Sequence, residues 1–398
     1  MVVLLITLIY LTTIGLGLPE PLLGSAWPVM HVQLGVDISF AGIVSMILAV
    51  GMIVSTLLSD RVTRRFGAGL TAAIGLLLVA TAMFGYSNSS SFWMLCLCAI
   101  PHGFAAGTID AALNNYVAKH FSSRVMSWLH ASWGVGTVIS PYIMGYSIAH
   151  GFGWETGYFS VSMILICIAV IMFAGMPLWK KRGGGVPAAA ERGKALSLTQ
   201  ILRIKGVKMA LVAFFAYCSA EATAMLWASS YLVINRGIAE DIAARYGSLV
   251  FWGLTGGRFL GGFVADKIGD RNMVRGSIAI MLTGIIMILL PVETNQLSLI
   301  GLVVFGFGCA TVFPLLIHST PHNFGVENSR AIIGVQMAGA YTGIALMPPT
   351  FGFLTRVTGI GIFPFYLLVF TLLLLVLFEL LNRTVDKTAD DQGIGIRE

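Results

Sequence analysis

Twelve long apolar stretches occupy nearly all of this 398-residue chain, and the gap between the sixth and seventh lies close to its middle. A bilayer core of roughly 30 Å takes about 20 apolar residues to cross as a helix. Lipid offers no hydrogen-bond partners to a bare backbone, so such stretches must be helical. The spans read as approximately 2–30, 39–59, 69–86, 91–118, 125–149, 156–177, 209–234, 243–265, 274–291, 297–320, 330–354 and 360–381. Only 11% of the residues are charged, against about 25% in an ordinary soluble domain. Lipid, not water, is the principal solvent.

The expected fold is therefore all-α and membrane-embedded, with two six-helix bundles at 1–178 and 209–383, a cytoplasmic linker at 179–208 and a cytoplasmic tail at 384–398. The linker contains Gly183, Gly184, Gly185 and Pro187 among basic residues, the composition of a flexible connection. The first stretch has no basic n-region and stays apolar past Pro28, so it reads as a retained span and not a cleaved signal. Of the 24 basic residues, only Arg236, Arg245 and Arg356 fall opposite the linker, and Arg258 falls inside a span. By the positive-inside rule this puts both termini in the cytoplasm, in a bacterial inner or plasma membrane. The same rule accounts for the net charge of +6 without nucleic-acid binding. Cys96, Cys98, Cys167, Cys218 and Cys309 all lie within spans and suggest neither a disulfide nor a metal site.

The halves look like repeats. Asp60 follows the second span and Asp266 the eighth; Pro141 lies in the fifth span and Pro348 in the eleventh, at nearly the same interval. Paired landmarks of this kind indicate duplicated bundles around a central path. Gly262, Asp266, Lys267, Gly269 and Arg271 match the loop signature G-x-x-x-D-[RK]-x-G-x-[RK] and so resemble the major facilitator superfamily. The first-half copy keeps Asp60, Arg61, Arg64 and Arg65 but has Thr56 and Thr63 where glycines usually stand. The resemblance implies alternating access. It also implies a cytoplasmic gate built from Asp60, Arg61, Arg64, Arg65, Asp266, Lys267 and Arg271, with Arg258 expected to join it.

Acids within a bilayer are costly and ordinarily face an interior cavity. Glu20, Asp110 and Glu221 are the candidates for proton coupling. Gly103, Gly107, Asp110 and Asn114 share one face of the fourth span, where small residues admit a neighbouring helix. This run, with Asn115, resembles the fucose permease-like branch of that superfamily. The resemblance makes Asp110 a coupling or sugar-binding carboxylate, and a helix–helix hydrogen bond is the competing reading. Glu221 sits among Tyr217, Trp227 and Tyr231, a pattern also found in that branch. An apolar setting disfavours a charged carboxylate, which suits a group that must load and unload a proton. Trp227 and Tyr231 could stack on a sugar ring while Tyr217 donates to it, or they could form a packing stripe or interfacial belt. Glu20 stands between Pro19 and Pro21, either at a helix break lining the site or turned to outside water.

His130 and Trp133 on the fifth span, and Gln336 and Tyr341 on the eleventh, complete the substrate-binding candidates with Asn114, Asn115, Tyr217 and Trp227. Thr311, Pro314 and His318 on the tenth span are weaker ones. No G-x4-GK[ST] loop points to ATP, no H-E-x-x-H to a metal, and no catalytic triad is recognisable. The Gly253–Gly257 run lies inside an apolar span with no strand before it, so it serves helix packing.

The sequence thus indicates a non-enzymatic secondary transporter of a sugar or similar small polar metabolite. No cofactor is implied beyond the coupling proton, with sodium as the other candidate ion. Its partners are the small-molecule substrate and the bilayer, and one chain holds a complete carrier. Two alternatives stand beside this one. A proton-coupled drug or metabolite exporter would suit the 18 Met residues. A non-transporting sensor or scaffold lacks any soluble signalling domain in this chain.

Overall fold

A computed structural model describes residues 2–391 apart from 122, 181–197 and 292–294. The described chain is helical, with twelve long helical segments in chain order. Nine of them are long and apolar enough to cross a membrane by length and composition. The remaining three run over Ser123–Ala149, Leu249–Ile268 and Val326–Thr358. They are the fifth, eighth and eleventh spans. Most of the linker expected at 179–208 lies outside the described residues. Short helices at Met176–Lys180 and Leu198–Arg203 flank it. The expected tail begins inside a helix, because the last span continues over Phe363–Asp391. Asp386 in that extension binds Arg271 at 2.8 Å, which ties the helix end to the ninth span.

Prolines and glycines shape the spans. The first breaks into Val2–Gly17 and Leu22–Gln33, with Pro19 and Pro21 in the gap. Proline supplies no backbone donor and cannot continue the ladder. The tenth breaks between Gln296–Cys309 and Val312–His318, just before Pro314. Gly67 and Gly269 end the second and eighth spans at φ of +77° and +80°. A side chain at either would be strained, and the two turns occupy matching places in the two halves. Elsewhere glycine brings backbones together. A Cβ on Gly103 would collide with Leu48, one on Gly107 with Met52, and one on Gly253 with the Phe307 nitrogen at 2.6 Å. Close small-residue contacts of this kind hold helices together where lipid removes the hydrophobic drive.

The halves meet at the end opposite the linker. There the second span and the short helix Ile38–Phe40 pack on the eleventh span, the seventh on Leu22–Gln33, and the fifth on Glu240–Tyr246. The fit is close: a Cβ on Gly24 would lie 2.8 Å from the Leu226 carbonyl, and one on Gly352 3.0 Å from the Ser39 carbonyl. A polar latch closes this seam. Arg356 Nε donates to Asp37 Oδ1 at 3.1 Å and to Ser39 Oγ at 2.9 Å. Its guanidinium also lies over the rings of Phe353 and Phe40, at 5.2 and 5.5 Å. Partial burial raises the Asp37 carboxyl, but the Ser39 and Arg356 hydrogen bonds outweigh it and hold the group below the usual aspartate range. At the linker end the short helices pack within their own halves. A central crevice therefore opens toward the linker.

Candidate functional site: carboxylates around a central crevice

The first-span break places Glu20 at the crevice, where it remains accessible although the bundle surrounds it. Asp110 and Glu221 are the charges within its electrostatic reach, one from each half. Asp110 is accessible too, and Asn114 Nδ2, one turn along the same helix, donates to its Oδ1 at 2.9 Å. Asn114 Oδ1 is buried with no partner among the described residues. Asn115 is exposed, and Tyr341 of the opposite half lies within electrostatic reach of Asp110.

Glu221 is half-buried. Tyr217 Oη donates to its Oε1 at 2.7 Å and also lies 2.9 Å from the Cys309 carbonyl. A phenol has one proton, so it serves one of these acceptors fully at a time. The Cys309 carbonyl is in reach because the tenth span ends its first piece there. Arg258 Nη2 stands 3.9 Å from Glu221 Oε1, and its guanidinium lies 5.4 Å from the centre of the Trp133 ring. Trp133 belongs to the first half and Arg258 to the second, so this cation–π contact crosses the crevice. His130, one turn before Trp133, is exposed within electrostatic reach of Arg258.

Several expectations change. Arg258, grouped with the loop charges from sequence, instead sits with Glu221 and Trp133. Trp227 is fully buried. Its Nε1 donates to the Pro348 carbonyl at 3.0 Å and its ring meets Phe351 edge-on, so neither face is free for a ligand. Tyr231 stacks on Phe363. Tyr217 is buried, with its hydroxyl engaged by protein acceptors. Gln336 is buried and accepts from Thr320 Oγ1 at 2.9 Å. Thr311 pairs with Ser277 at 2.6 Å, and His318 with Asp270 at 2.7 Å near the linker end. The buried groups among these each satisfy a partner, as burial in a bundle demands, while the exposed His318 forms a surface contact between helices.

Of the expected gate, the side chains of Asp60, Arg64, Asp266 and Lys267 lie outside the described residues. Arg61 and Arg65 are exposed at the linker end, and Arg271 binds Asp386 within its own half. Glu379, given no role from sequence, receives two hydrogen bonds from Arg275, at 2.7 and 2.9 Å. The latch residues Asp37, Ser39 and Arg356 escaped the sequence reading. Their signal was an Asp and an Arg on a face with few charges. The five cysteines are free, and no metal-holding cluster occurs among the described residues.

The chain is 25% identical over 339 residues to the cis,cis-muconate transport protein of Acinetobacter baylyi, a match covering 81% of this chain and 80% of that protein. It is 24% identical over 273 residues to the hexuronate transporter of Bacillus subtilis, covering 66% of this chain and 64% of that protein. Among solved structures it resembles a D-xylose-proton symporter with a TM-score of 0.75 at 11% identity, covering 96% of this chain and 97% of that one. That likeness concerns the fold. Residues 3–328 and again 209–395 match the Major Facilitator Superfamily. With its helices spanning the bilayer and its crevice between two six-helix bundles, the chain belongs to the Major Facilitator Superfamily of membrane transporters.

Proposed function

We propose that this protein is a secondary active transporter that carries a sugar or similar small polar metabolite with protons, by alternating access between the two halves. The observation that carries the reading is the meeting of Glu20, Asp110 and Glu221 from both halves around one crevice, with Arg258 as the facing cation. Intramembrane acids are expensive and mark ion or substrate paths. Asn114, Asn115, Trp133, His130 and Tyr341 are the groups that would meet a hydroxyl-rich solute. The hexuronate-transporting relative named above supports a polar, sugar-like cargo.

The Glu221 contacts support proton coupling. Ionised, Glu221 accepts from Tyr217 and faces Arg258. Protonated, it becomes a donor, Tyr217 turns its single proton to the Cys309 carbonyl, and the attraction to Arg258 falls away. Neutralising the acids lowers the cost of moving the loaded site past lipid. The linker face is taken as cytoplasmic because nearly all basic residues lie there, so the described conformation opens inward.

Uptake of labelled hexoses and hexuronates into proteoliposomes, with and without a pH gradient, tests the proposal. The gradient should drive accumulation. The Asp110→Asn/Glu221→Gln double variant should lose it, retaining at most downhill exchange. Full-rate, pH-driven uptake by the double variant would refute the assignment. Absence of counterflow with every solute would favour a sensor over a carrier.

A further inference from the structure

An arginine inside a membrane bundle is expensive, and its guanidinium ordinarily commits its donors to acids or backbone carbonyls. Arg258 does not. Among the described residues no hydrogen bond reaches its nitrogens, and its ion contact with Glu221 Oε1 is 3.9 Å long. The ion pairs of Arg245, Arg271, Arg275 and Arg356, all toward the ends of spans, measure 2.8, 2.8, 2.7 and 3.1 Å. A structural lock deep in the bundle would be at least as short as those, because water is scarcer there. Glu221 Oε1 is moreover already engaged by Tyr217 at 2.7 Å.

The position of Arg258 leaves those donors open to the crevice. Gly134 of the fifth span packs on Thr255 of the eighth, so closely that a Cβ there would lie 2.5 Å from Thr255 Oγ1. Arg258 and Trp133 come next on the linker side of that contact, with the guanidinium 5.4 Å from the ring centre. His130 follows one turn further along, within electrostatic reach of Arg258. The guanidinium therefore stands where the two halves begin to part, and 26% of its side chain is exposed. Glu221 lies beside it, and Glu20 and Asp110 lie beyond Glu221.

A guanidinium with uncommitted donors matches a carboxylate, whose two oxygens meet two parallel N–H groups. A neutral sugar offers only hydroxyls and leaves the cation without its counter-charge. A phosphate would bring about two negative charges into a space already holding three acids. We propose that Arg258 is the seat for a carboxylate of the cargo, and that the solute carried is a sugar acid with its hydroxyls turned toward Glu20 and Asp110. This rests on the transport reading above and narrows it. A proton on Glu221 leaves Arg258 to the cargo, so that proton and anion load together.

The test is titration calorimetry of the purified protein with pairs of solutes that differ at one carbon: glucuronate against glucose, and galacturonate against galactose. Glucose 6-phosphate is a further arm. At least one hexuronate should bind roughly tenfold or more tightly than its neutral partner, since hydrogen bonds between charged groups are the strong kind. These pairs need no variant to fold. Arg258→Gln should abolish the preference, Arg258→Lys should keep part of it, and Arg245→Gln should leave it unchanged. Hexoses binding as tightly as their acids, the 6-phosphate binding more tightly, no hexuronate binding, or a full preference in Arg258→Gln would each overturn the assignment. The two proposals fail separately. A hexose that accumulates with the pH gradient as well as its acid does would sink this one and leave sugar–proton transport standing. Acid-selective binding at Arg258 without pH-driven uptake would do the reverse.

Discussion

The latch at Asp37, Ser39 and Arg356 gives the clearest quantitative prediction. The Arg356 and Asp37 side chains are 40% and 44% exposed, so their ion pair contributes only about 0.5–1 kcal/mol. Stacking on Phe353 and Phe40 adds about 0.5–1 kcal/mol more at such an exposed site. Arg356→Ala removes both, about 1–2 kcal/mol, a shift of roughly 5–30-fold in the closed-to-open ratio at this seam. Asp37→Asn removes only the ion pair and should shift the ratio roughly 2–5-fold. Single-molecule energy transfer between labels at Asn88 and Gln296, in a background without native cysteines, reads that ratio. The pH dependence has a fixed sign. Asp37 is held below its ordinary value, so its contribution is fully present above that value, about 3.9. It is lost only as pH falls through the depressed one. The latch's contribution to the closed fraction should therefore be flat through neutrality, decline only in acid, and fall modestly as salt screens the pair. A transition near neutral pH that disappears in Asp37→Asn would refute the reasoning.

Further outcomes follow from the same geometry. Tyr217→Phe strips Glu221 of a hydrogen bond at a cost of about 1–3 kcal/mol, so pH-driven uptake should fall more than counterflow does. Trp227→Phe should lower thermal stability by about 1–3 kcal/mol through its lost bond to Pro348 and reduced packing, while substrate affinity measured by thermal shift stays unchanged. Gly24→Val should prevent closure on the Leu226 carbonyl and move the energy-transfer distribution toward the form open opposite the linker. Arg258→Gln should lower the affinity of the site for Glu221 in its charged form, so that uptake reaches half its maximum at a higher pH than in the unaltered protein.

What the sequence made legible followed from lipid. A bilayer requires long apolar helices, sets their number and forces acids inward, so the twelve spans, the repeat and the carboxylates at 20, 110 and 221 could be read directly. Prolines at 19 and 21 announced a break that the structure contains. Aromatics were harder to read. Trp227 and Trp133 look alike in a helical pattern, yet one is enclosed by Pro348 and Phe351 and the other meets Arg258 across the crevice. Which face of a helix meets its neighbour depends on rotation within the bundle, and period alone leaves that open. Gln336 and Thr311 illustrate the same ambiguity, since a polar residue in a span serves a cavity or a partner helix equally well. Arg258 was legible as an intramembrane cation, but its grouping with the gate was not: the eight residues before Asp266 span about two turns, which sets it beside Glu221 and not among the loop charges.

Among the described residues Glu20, Asp110 and Glu221 share the space with the Arg258 guanidinium, so these four groups, when ionised, carry two uncompensated negative charges. Two protons, or one proton and a cationic cargo group, bring them to neutrality; a third would leave them positive. Under the proton coupling proposed above, two hydrogen ions are thus what electrical balance at these four side chains calls for.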